Sequence, residues 1–332
     1  MIGSVRPMAQ LPSSFMPTRS GPFAADLPHR HRVFGLEVAS ALSLPALPAG
    51  AEEKPADLEI AYGPVPGLDE RPDGYSVHPE GIVLSVPDTG RFHIRDGREI
   101  RIDPAHSASE RNLRLFLLGS ALGAILHQRG LLPLHANAVN IGGGRAAAFL
   151  GRSGVGKSTL AAWFADRGHP VLSDDVCVVA PDRAGRLEAL PGLARLRLKP
   201  DALERSGRDP AHYEPSFDDR DKFDVPLGPS EQASPLPLRA IYLLDRQEEA
   251  GEFALEPLRG VRALEALVAN TYRGGLVGML GRQAEHLAQC RRLAESIPLF
   301  AVRRSWRPER MEAENDQLLR HAAALGAERA HA

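Results

Sequence analysis

Cysteine and lysine are both scarce in this chain of 332 residues. The two cysteines, Cys177 and Cys290, are too few for a disulfide scaffold and are typical of a protein of the reducing cytoplasm. Only four of the 40 basic residues are lysines, and these are Lys54, Lys157, Lys199 and Lys222. An ammonium and a guanidinium are not interchangeable, so a lysine in such an arginine-rich chain can mark a place that needs a compact charge.

The sequence also has no excess of positive charge and no long hydrophobic run. A net charge of −2 excludes a general electrostatic attraction to nucleic acid or to an anionic membrane. The longest apolar stretch, 115–126, is interrupted by two glycines and a serine and is too short to cross a bilayer, so it predicts a buried helix. The first residues contain no apolar segment of a signal peptide. We therefore expect a cytoplasmic protein without nucleic-acid or membrane partners.

The order of motifs along the chain predicts four parts. Residues 1–30 are rich in Pro, Ser and His without periodicity, and they predict a flexible tail. Short strand-like runs then alternate with turn signals over 31–110, including a hairpin at 91–103 with Asp96-Gly97 as its turn. This region predicts a small β-rich N-terminal domain. The main domain is expected at 111–305, and a C-terminal helix and tail at 306–332.

The main domain begins with a helical pattern at 112–128 and a hairpin around the glycines at 142–144. A glycine-rich loop, a helix to Arg167 and a strand pair in HPVLSDDVCVVA follow. Further strands are predicted at 193–198, 238–244 and 298–303, and helices at 200–206, 261–269, 280–294 and 308–325. The alternation indicates an α/β fold with one strand-rich flank.

The glycine-rich loop at 151–158, GRSGVGKS, fits G-x-x-x-x-G-K-[ST], the phosphate-binding P-loop. Its glycines allow successive backbone N–H groups to face phosphate oxygens, and the helix that follows adds its positive end. Lys157 can reach the β- and γ-phosphates of ATP, while the Ser158 hydroxyl can ligate Mg²⁺. The predicted nucleotide-binding residues are Gly151, Arg152, Ser153, Gly154, Val155, Gly156, Lys157, Ser158 and Thr159. A glycine-rich turn without a ligand is the structural alternative.

Two adjacent acids, Asp174 and Asp175, end the strand that follows the loop helix. A carboxylate there can hold Mg²⁺, directly or through water. Because alternate strand residues face opposite sides, we expect one acid to serve the metal and the other to face the phosphate acceptor. The structural alternative is an Asx-type turn that closes the strand.

The register of the hairpin around 142–144 indicates where His135 lies. A turn at 142–144 makes paired positions sum to about 286, which sets position 135 opposite Gly151 at the start of the loop. The register therefore predicts an imidazole beside the bound phosphates. A purely structural histidine is the alternative.

The segments LHANAV, GRSGVGKST and DRGHPVLSDDV together resemble the catalytic domain of the HPr kinase/phosphorylase family. The resemblance is strong over about 131–180 and extends to about 305. It implies the mixed-sheet P-loop fold shared with phosphoenolpyruvate carboxykinase, and ATP-dependent phosphorylation of a protein serine that is sometimes reversed by phosphorolysis. The family's roles fall on His135, Lys157, Ser158 and Asp175, with Asp175 as proton acceptor. Asp174 is then the better candidate for the metal.

The chain departs from the regulatory members of the family in two places. The stretch after the aspartates, LPGLARLRLKPDALERSG, has no acid before Asp201, where those enzymes carry a metal-binding Glu. The N-terminal region also differs, and the chain is more similar to stand-alone relatives, some of which phosphorylate precursor peptides. We therefore expect an Mg-ATP-dependent kinase of a protein or peptide serine, and a homo-oligomer is possible. A small-molecule kinase and a non-catalytic nucleotide sensor are the alternatives.

Three further places carry two interpretations each. The acidic run 218–226 predicts a solvated loop, or a loop in which Lys222 contacts a phosphate or the acceptor. Arg273 follows a predicted helix as part of its ordinary C-terminus, or as a phosphate ligand. Trp163 and Trp306 are expected to pack rather than to stack on a base.

Overall fold

The computed structural model describes residues 27–65, 73–193, 195–217, 222–227, 234–247, 252–305 and 307–328. Over these ranges the chain forms an α/β fold with two large mixed sheets and one small antiparallel sheet. The predicted tail lies outside the described residues up to residue 26, and its last two residues belong to the first strand. The division into domains stays a prediction.

In the part of the chain that the structure describes, the first sheet has seven strands in the order β1-β2-β3-β7-β6-β5-β4. They are β1 His29–Val33, β2 Leu36–Ser40, β3 Leu58–Tyr62, β4 Gly74–His78, β5 Gly81–Val86, β6 Gly90–Arg95 and β7 Glu99–Pro104. The β6–β7 hairpin confirms the turn predicted at Asp96-Gly97, where both residues have positive φ, +52° and +65°. This conformation matches the twist of the two strands and favours an Asp-Gly pair.

A broken helix packs on this sheet. It runs as α1 Glu110–Phe116, a π-helical turn Leu117–Ala121, and α2 Leu122–Gln128. Leu117 and Ile125 are fully buried and share one core with Phe92 of the sheet. The helix itself was predicted, but the π turn was not, because one inserted residue leaves no trace in a helix that is apolar on most sides.

The remaining strands build the second large sheet and the small sheet. They are β8 Leu132–Leu134, β9 Ala136–Asn140, β10 Ala146–Leu150, β11 Val171–Ser173, β12 Cys177–Pro181, β13 Leu187–Leu190, β14 Arg195–Leu198, β15 Glu214–Pro215, β16 Phe223–Pro226, β17 Leu236–Gln247, β18 Ala254–Leu258 and β19 Leu299–Ser305. The large sheet has the order β11-β9-β10-β17-β13-β12-β8, and β19 pairs with both β17 and β18. The small sheet has the order β14-β16-β15.

The register of the β9–β10 hairpin is the one predicted, because Ala136 lies opposite Leu150 and Asn140 opposite Ala146. One prediction about this sheet was wrong. The strands of HPVLSDDVCVVA do not pair with each other: β11 pairs with β9, whereas β12 lies between β8 and β13. A tight bend at 174–175 sends the chain from one part of the sheet to another.

Within the described ranges, six further α-helices cover the second sheet and its ends. They are α3 Lys157–Asp166, α4 Pro200–Arg205, α5 Gly260–Ala269, α6 Gly275–Met279, α7 Gln283–Ser296 and α8 Pro308–Glu328. The helix predicted at 280–294 is α7, which begins at Gln283, after Gly281, whose φ is +67°. The short helix α6, which ends at Met279, was not predicted. No helix of the described ranges has both the length and the apolar character needed to cross a membrane.

Candidate active site

The glycine-rich loop 151–156 connects the buried strand β10 to the start of α3. Gly151, Gly154 and Gly156 have φ of +145°, +86° and +90°, which side chains rarely adopt. Gly151 also lies against the next strand, because a Cβ there would approach the Leu244 carbonyl oxygen to 2.8 Å. The glycines of the motif are therefore required by the backbone. Gly156 caps α3 without a side-chain hydrogen bond, which leaves the positive end of the helix to an anion.

The Lys157 ammonium is buried beneath this loop. Its Nζ atom lies 2.6 Å from the Gly151 carbonyl oxygen, 3.2 Å from the Arg152 carbonyl oxygen and 3.1 Å from His135 Nε2. Burial lowers the pKa of Lys157 to about 8, against the opposing influence of Asp175 and Asp174. Each N–H of the ammonium has an acceptor, so contact with a phosphate requires the exchange of one of these bonds.

His135 precedes β9 and lies between Lys157 and Asp175. Its Nδ1 atom is 3.1 Å from the Asp175 carbonyl oxygen. A carbonyl oxygen only accepts hydrogen bonds, so Nδ1 carries the hydrogen and Nε2 accepts from Lys157. Burial, followed by the Lys157 charge, lowers the pKa of His135 below its ordinary value. The imidazole is therefore neutral and bridges the loop lysine and the turn that contains the acids.

Asp174 and Asp175 do not lie in a strand, contrary to the prediction. They form a three-residue turn after β11, closed by a hydrogen bond of 2.8 Å from the Val176 N–H to the Asp174 carbonyl oxygen. Asp175 has a φ of +65°, which is uncommon outside glycine and tends to mark functional sites. The two side chains bind different groups, since Asp174 accepts from Ser158 Oγ and a backbone N–H, and Asp175 accepts from a guanidinium. The expected division of roles between them stays a prediction.

Arg197 of β14 holds both acids. Its backbone N–H donates to Asp174 Oδ2 at 3.0 Å, and its Nη1 donates to Asp175 Oδ2 at 3.1 Å. Burial, followed by the charge of Asp175, raises the pKa of Asp174. Burial acts in the same direction on Asp175, but Arg197 and then Lys222 outweigh it and hold the pKa of Asp175 below its ordinary value. Asp175 therefore loses its proton at a lower pH than Asp174 does.

The residues predicted to hold Mg²⁺ lie together. Ser158 Oγ donates to Asp174 Oδ1 at 3.1 Å, at the first turn of α3. A hydroxyl and a carboxylate are hard oxygen ligands of the kind that Mg²⁺ prefers, and Mg²⁺ commonly takes few protein ligands beside phosphate and water. The donor set therefore fits this ion. Among the residues that the structure describes, no group of three or more His, Cys, Asp or Glu could form a metal cage.

Two neighbouring cavities open beside the loop. A smaller one of about 180 Å³ is lined by the loop and the start of α3, including Gly154, Gly156, Lys157, Ser158 and Thr159. A larger one of about 1030 Å³ is lined by the first loop residues, Gly151 and Arg152, and by the segment 269–273. Both cavities are lined by Ser153, His135, Asp175, Arg197, Lys199, Asp201 and Lys222. Asp175 thus lies at their junction.

Two of the predicted site residues lie apart from both cavity walls. Val155 is buried in the core beneath α3, and Asp174 lies behind Ser158. Three of the four lysines line the two cavities, while Lys54 lies elsewhere. Of the acidic run 218–226, residues 218–221 lie outside the described ranges. Lys222 directly precedes β16, so residues 223–226 form a strand and not the predicted loop.

Sequence reasoning missed three residues that build the site. Arg197 binds both acids, Asn137 Nδ2 donates to the Lys157 carbonyl oxygen at 2.6 Å, and the ring of Tyr272 stacks 6.1 Å from that of His135. None carries a local signal, because each acts across a long sequence separation. Trp163 packs as predicted, with Arg167 4.0 Å above its ring, and Trp306 lies outside the described residues.

The chain was compared with known proteins at three levels. No family model matches it, and no curated protein matches its sequence. Among solved structures, the HPr(Ser) kinase/phosphatase from Coxiella burnetii is similar to 59% of this chain over 98% of its own length, with 12% identity and a TM-score of 0.28. A likeness this weak carries no argument about activity, and membership of the family stays a prediction.

Proposed function

We propose that this protein is a kinase that transfers the γ-phosphate of ATP to a serine hydroxyl of a protein or peptide. One observation carries the proposal. The ionised carboxylate of Asp175 lies at the junction between a small cavity lined by a glycine-rich loop and a large cavity open to an acceptor. A phosphate donor and a hydroxyl acceptor could therefore meet at one carboxylate.

The small cavity has the groups that a triphosphate requires. Its wall contains Gly154 and Gly156 of the P-loop motif, the uncapped start of α3 and Lys157. Backbone N–H groups and a helix N-terminus bind phosphate oxygens without side chains. Lys157 adds a charge-assisted bond once it exchanges a loop carbonyl for a phosphate oxygen.

Ser158 and Asp174 would hold Mg²⁺, which neutralises charge that develops on the phosphates when it is bound. Burial and the charge of Asp175 disfavour the ionised form of Asp174 in the free protein. A bound divalent ion would favour the ionised form of Asp174, and it would replace the hydrogen bond between Ser158 and Asp174.

Asp175 accepts the hydroxyl proton in this proposal. Transfer forms a bond between the serine oxygen and the γ-phosphorus and breaks the bond from that phosphorus to the β–γ bridging oxygen, so ADP is released. Arg197 keeps Asp175 ionised and fixes its orientation. Because its pKa is low, Asp175 accepts the proton late, as the new bond to phosphorus makes the hydroxyl acidic.

His135 acts as a positioning residue. Its Nδ1–H holds the Asp175 carbonyl, and its Nε2 holds the Lys157 ammonium. A neutral imidazole with both nitrogens hydrogen-bonded fixes the position of Asp175 relative to Lys157. It touches neither carboxylate oxygen of Asp175, so it does not relay that proton.

The test uses γ-labelled ATP and an extract of the organism's own proteins and metabolites. We expect the full chain to place label on a serine of a protein or peptide, identified by mass spectrometry. We expect Asp175→Asn to lower the rate of labelling about 10²-fold or more while Mg-ATP still binds. Asp88→Asn is the matched control, because Asp88 is exposed and has a similar left-handed φ of +54°.

Two results would contradict the proposal, and each would favour a different function. Label on a small molecule alone would indicate a small-molecule kinase at the same site. Tight Mg-ATP binding without loss of the γ-phosphate to any acceptor would indicate a nucleotide sensor.

A further inference from the structure

The larger cavity is strongly cationic. Among the residues that the structure describes, its walls carry five cationic side chains, Arg152, Arg197, Lys199, Lys222 and Arg273, and two carboxylates, Asp175 and Asp201. Asp175 is already paired with Arg197. A cleft lined mainly by one sign of charge concentrates ligands of the opposite sign. The cavity therefore favours an anionic occupant.

Arg273 occupies a backbone position that an arginine rarely takes. Its φ is +52°, and it is followed directly by Gly274 and Gly275, either of which suits such a conformation better. A left-handed backbone strains a non-glycine residue and persists only where the surrounding structure enforces it. The strain is consistent with a requirement for this side chain at this place.

A built support holds the Arg273 guanidinium. Nη2 donates to the Ser120 hydroxyl at 2.7 Å, and Ser120 belongs to the π-helical turn, a feature frequent at functional sites. The guanidinium carbon lies 5.4 Å from the Tyr272 ring centre. That ring packs against Gly123, where a Cβ would lie 3.0 Å from it. No carboxylate of the described residues forms an ion pair with Arg273.

Arg273 lies apart from Lys157, the lysine of the phosphate-binding loop. The order along the wall is Lys157, then His135 at 3.1 Å, then the Tyr272 ring at 6.1 Å from the His135 ring, then Arg273. Two aromatic rings therefore stand between the two cations. Arg273 lines only the larger cavity, and Lys157 only the smaller. An anion at Arg273 is thus a different group from the phosphate that Lys157 contacts.

We infer that the acceptor carries an anionic group, a carboxylate or a phosphate, close to its reacting hydroxyl, and that Arg273 binds this group in the larger cavity. The inference rests on the proposed kinase function and narrows its substrate class. For a peptide, it specifies acidic residues beside the serine. A small hydroxy acid or a phosphorylated alcohol also carries a hydroxyl close to an anionic group.

The transfer experiment separates these sources. The full chain is given γ-labelled ATP with three pools of short peptides that carry one central serine in acidic, neutral or basic surroundings. A second arm offers glycerate and glycerol 3-phosphate, with glycerol as the neutral match. In at least one arm, we expect the anionic acceptors to be labelled about tenfold faster than their neutral matches. A tenfold ratio of rates corresponds to the free energy of about one hydrogen bond to a charged group.

Arg273→Gln tests the residue itself. It should raise KM for the anionic acceptor about tenfold or more and change kcat little, whereas Arg273→Lys should restore part of the loss. Arg183→Gln is the matched control, because Arg183 is exposed on a turn outside both cavities. Equal labelling of neutral and anionic acceptors, with KM unchanged in Arg273→Gln, would overturn the inference while the kinase function stands.

A binding measurement distinguishes the two proposals. The protein is saturated with Mg²⁺ and a non-hydrolysable ATP analogue and titrated with the acidic peptides and glycerol 3-phosphate. Binding that weakens in Arg273→Gln, without any transfer in the first experiment, supports the anion site and overturns the kinase function. No binding of any anionic probe to the wild-type protein overturns the inference whatever the transfer assay gives.

Discussion

The Nδ1–H group of His135 donates to the carbonyl oxygen of Asp175 at 3.1 Å, across 40 positions of the sequence. This bond joins the residue between β8 and β9 to the turn that carries the acids. Asp175 has a left-handed backbone, and the bond from His135 helps to keep it there. The imidazole therefore controls where the Asp175 carboxylate points without touching that carboxylate.

Replacement of His135 by Asn should lower the rate of phosphate transfer more than it lowers the melting temperature. The imidazole positions both Lys157 and Asp175, so the loss acts on the geometry of the reaction. His169→Asn is the matched control, because His169 also donates from Nδ1 to a backbone carbonyl, that of Asn140, outside both cavities. A large fall in melting temperature with an unchanged rate would make His135 a structural residue.

The pKa of His135 can be measured directly. Burial and the Lys157 charge place it below 6.5, and a bound phosphate anion should raise it, because an anion favours the charged imidazolium. The ring resonances should therefore titrate below pH 6.5 in the free protein and at higher pH with Mg-ATP. A midpoint above 6.5 without nucleotide would contradict the buried position.

Binding of Mg-ATP near pH 8 should take up protons. The pKa of Lys157 is about 8, so about half of these amines are neutral at that pH. Phosphate anions favour the charged ammonium and raise its pKa, which draws a proton from solvent. Calorimetry in two buffers of different ionisation enthalpy measures the uptake. It should vanish in Lys157→Met and persist in Lys54→Met.

The same lysine should contribute strongly to affinity. Lys157→Ala removes a charge-assisted bond worth about 1.5–3 kcal/mol, so the Kd for Mg-ATP should rise about 10- to 150-fold. Calorimetry measures the Kd, and turnover should fall with it. Unchanged affinity and activity would show that the loop does not bind phosphates.

Asp174 and Asp175 should be distinguishable by the effect of their replacement on the Mg²⁺ dependence of the transfer rate. Asp175→Asn keeps the shape but loses the base, so transfer should fall about 10²-fold or more with near-normal Mg-ATP affinity. Asp174→Asn should instead raise the Mg²⁺ concentration needed for half the maximal rate. The reverse pattern would exchange the roles, and a wild-type rate in Asp175→Asn would remove the base assignment.

Gly151→Ala and Gly154→Ala form a matched pair for the loop. Both positions have positive φ, but only at Gly151 would the new Cβ approach the Leu244 carbonyl oxygen, to 2.8 Å. Gly154 has open space around it. Urea unfolding should show Gly151→Ala to be the less stable, by about 1–3 kcal/mol. Equal stabilities would mean that the loop relaxes freely away from β17.

The sequence predicted the features that depend on residues close together in the chain. The hairpin register placed His135 beside the loop, because a glycine turn fixes which residues face each other. It could not reveal the turn at Asp175, since an Asp-Asp pair suits a strand end and a tight turn equally. Arg197 and Arg273 reach their partners from distant segments, and no local pattern encodes such contacts.

The concentration of lysines around the two cavities makes this protein suitable for chemical footprinting. A small amine-reactive reagent has few targets: the chain terminus, exposed Lys54 and the three cavity lysines. At pH 7 a lysine with a pKa of about 8 is about 10% neutral, against under about 0.1% for an ordinary lysine. Acylation of Lys157, followed by peptide mapping, would therefore report whether the small cavity is filled, for any nucleotide or inhibitor and without an assay of turnover.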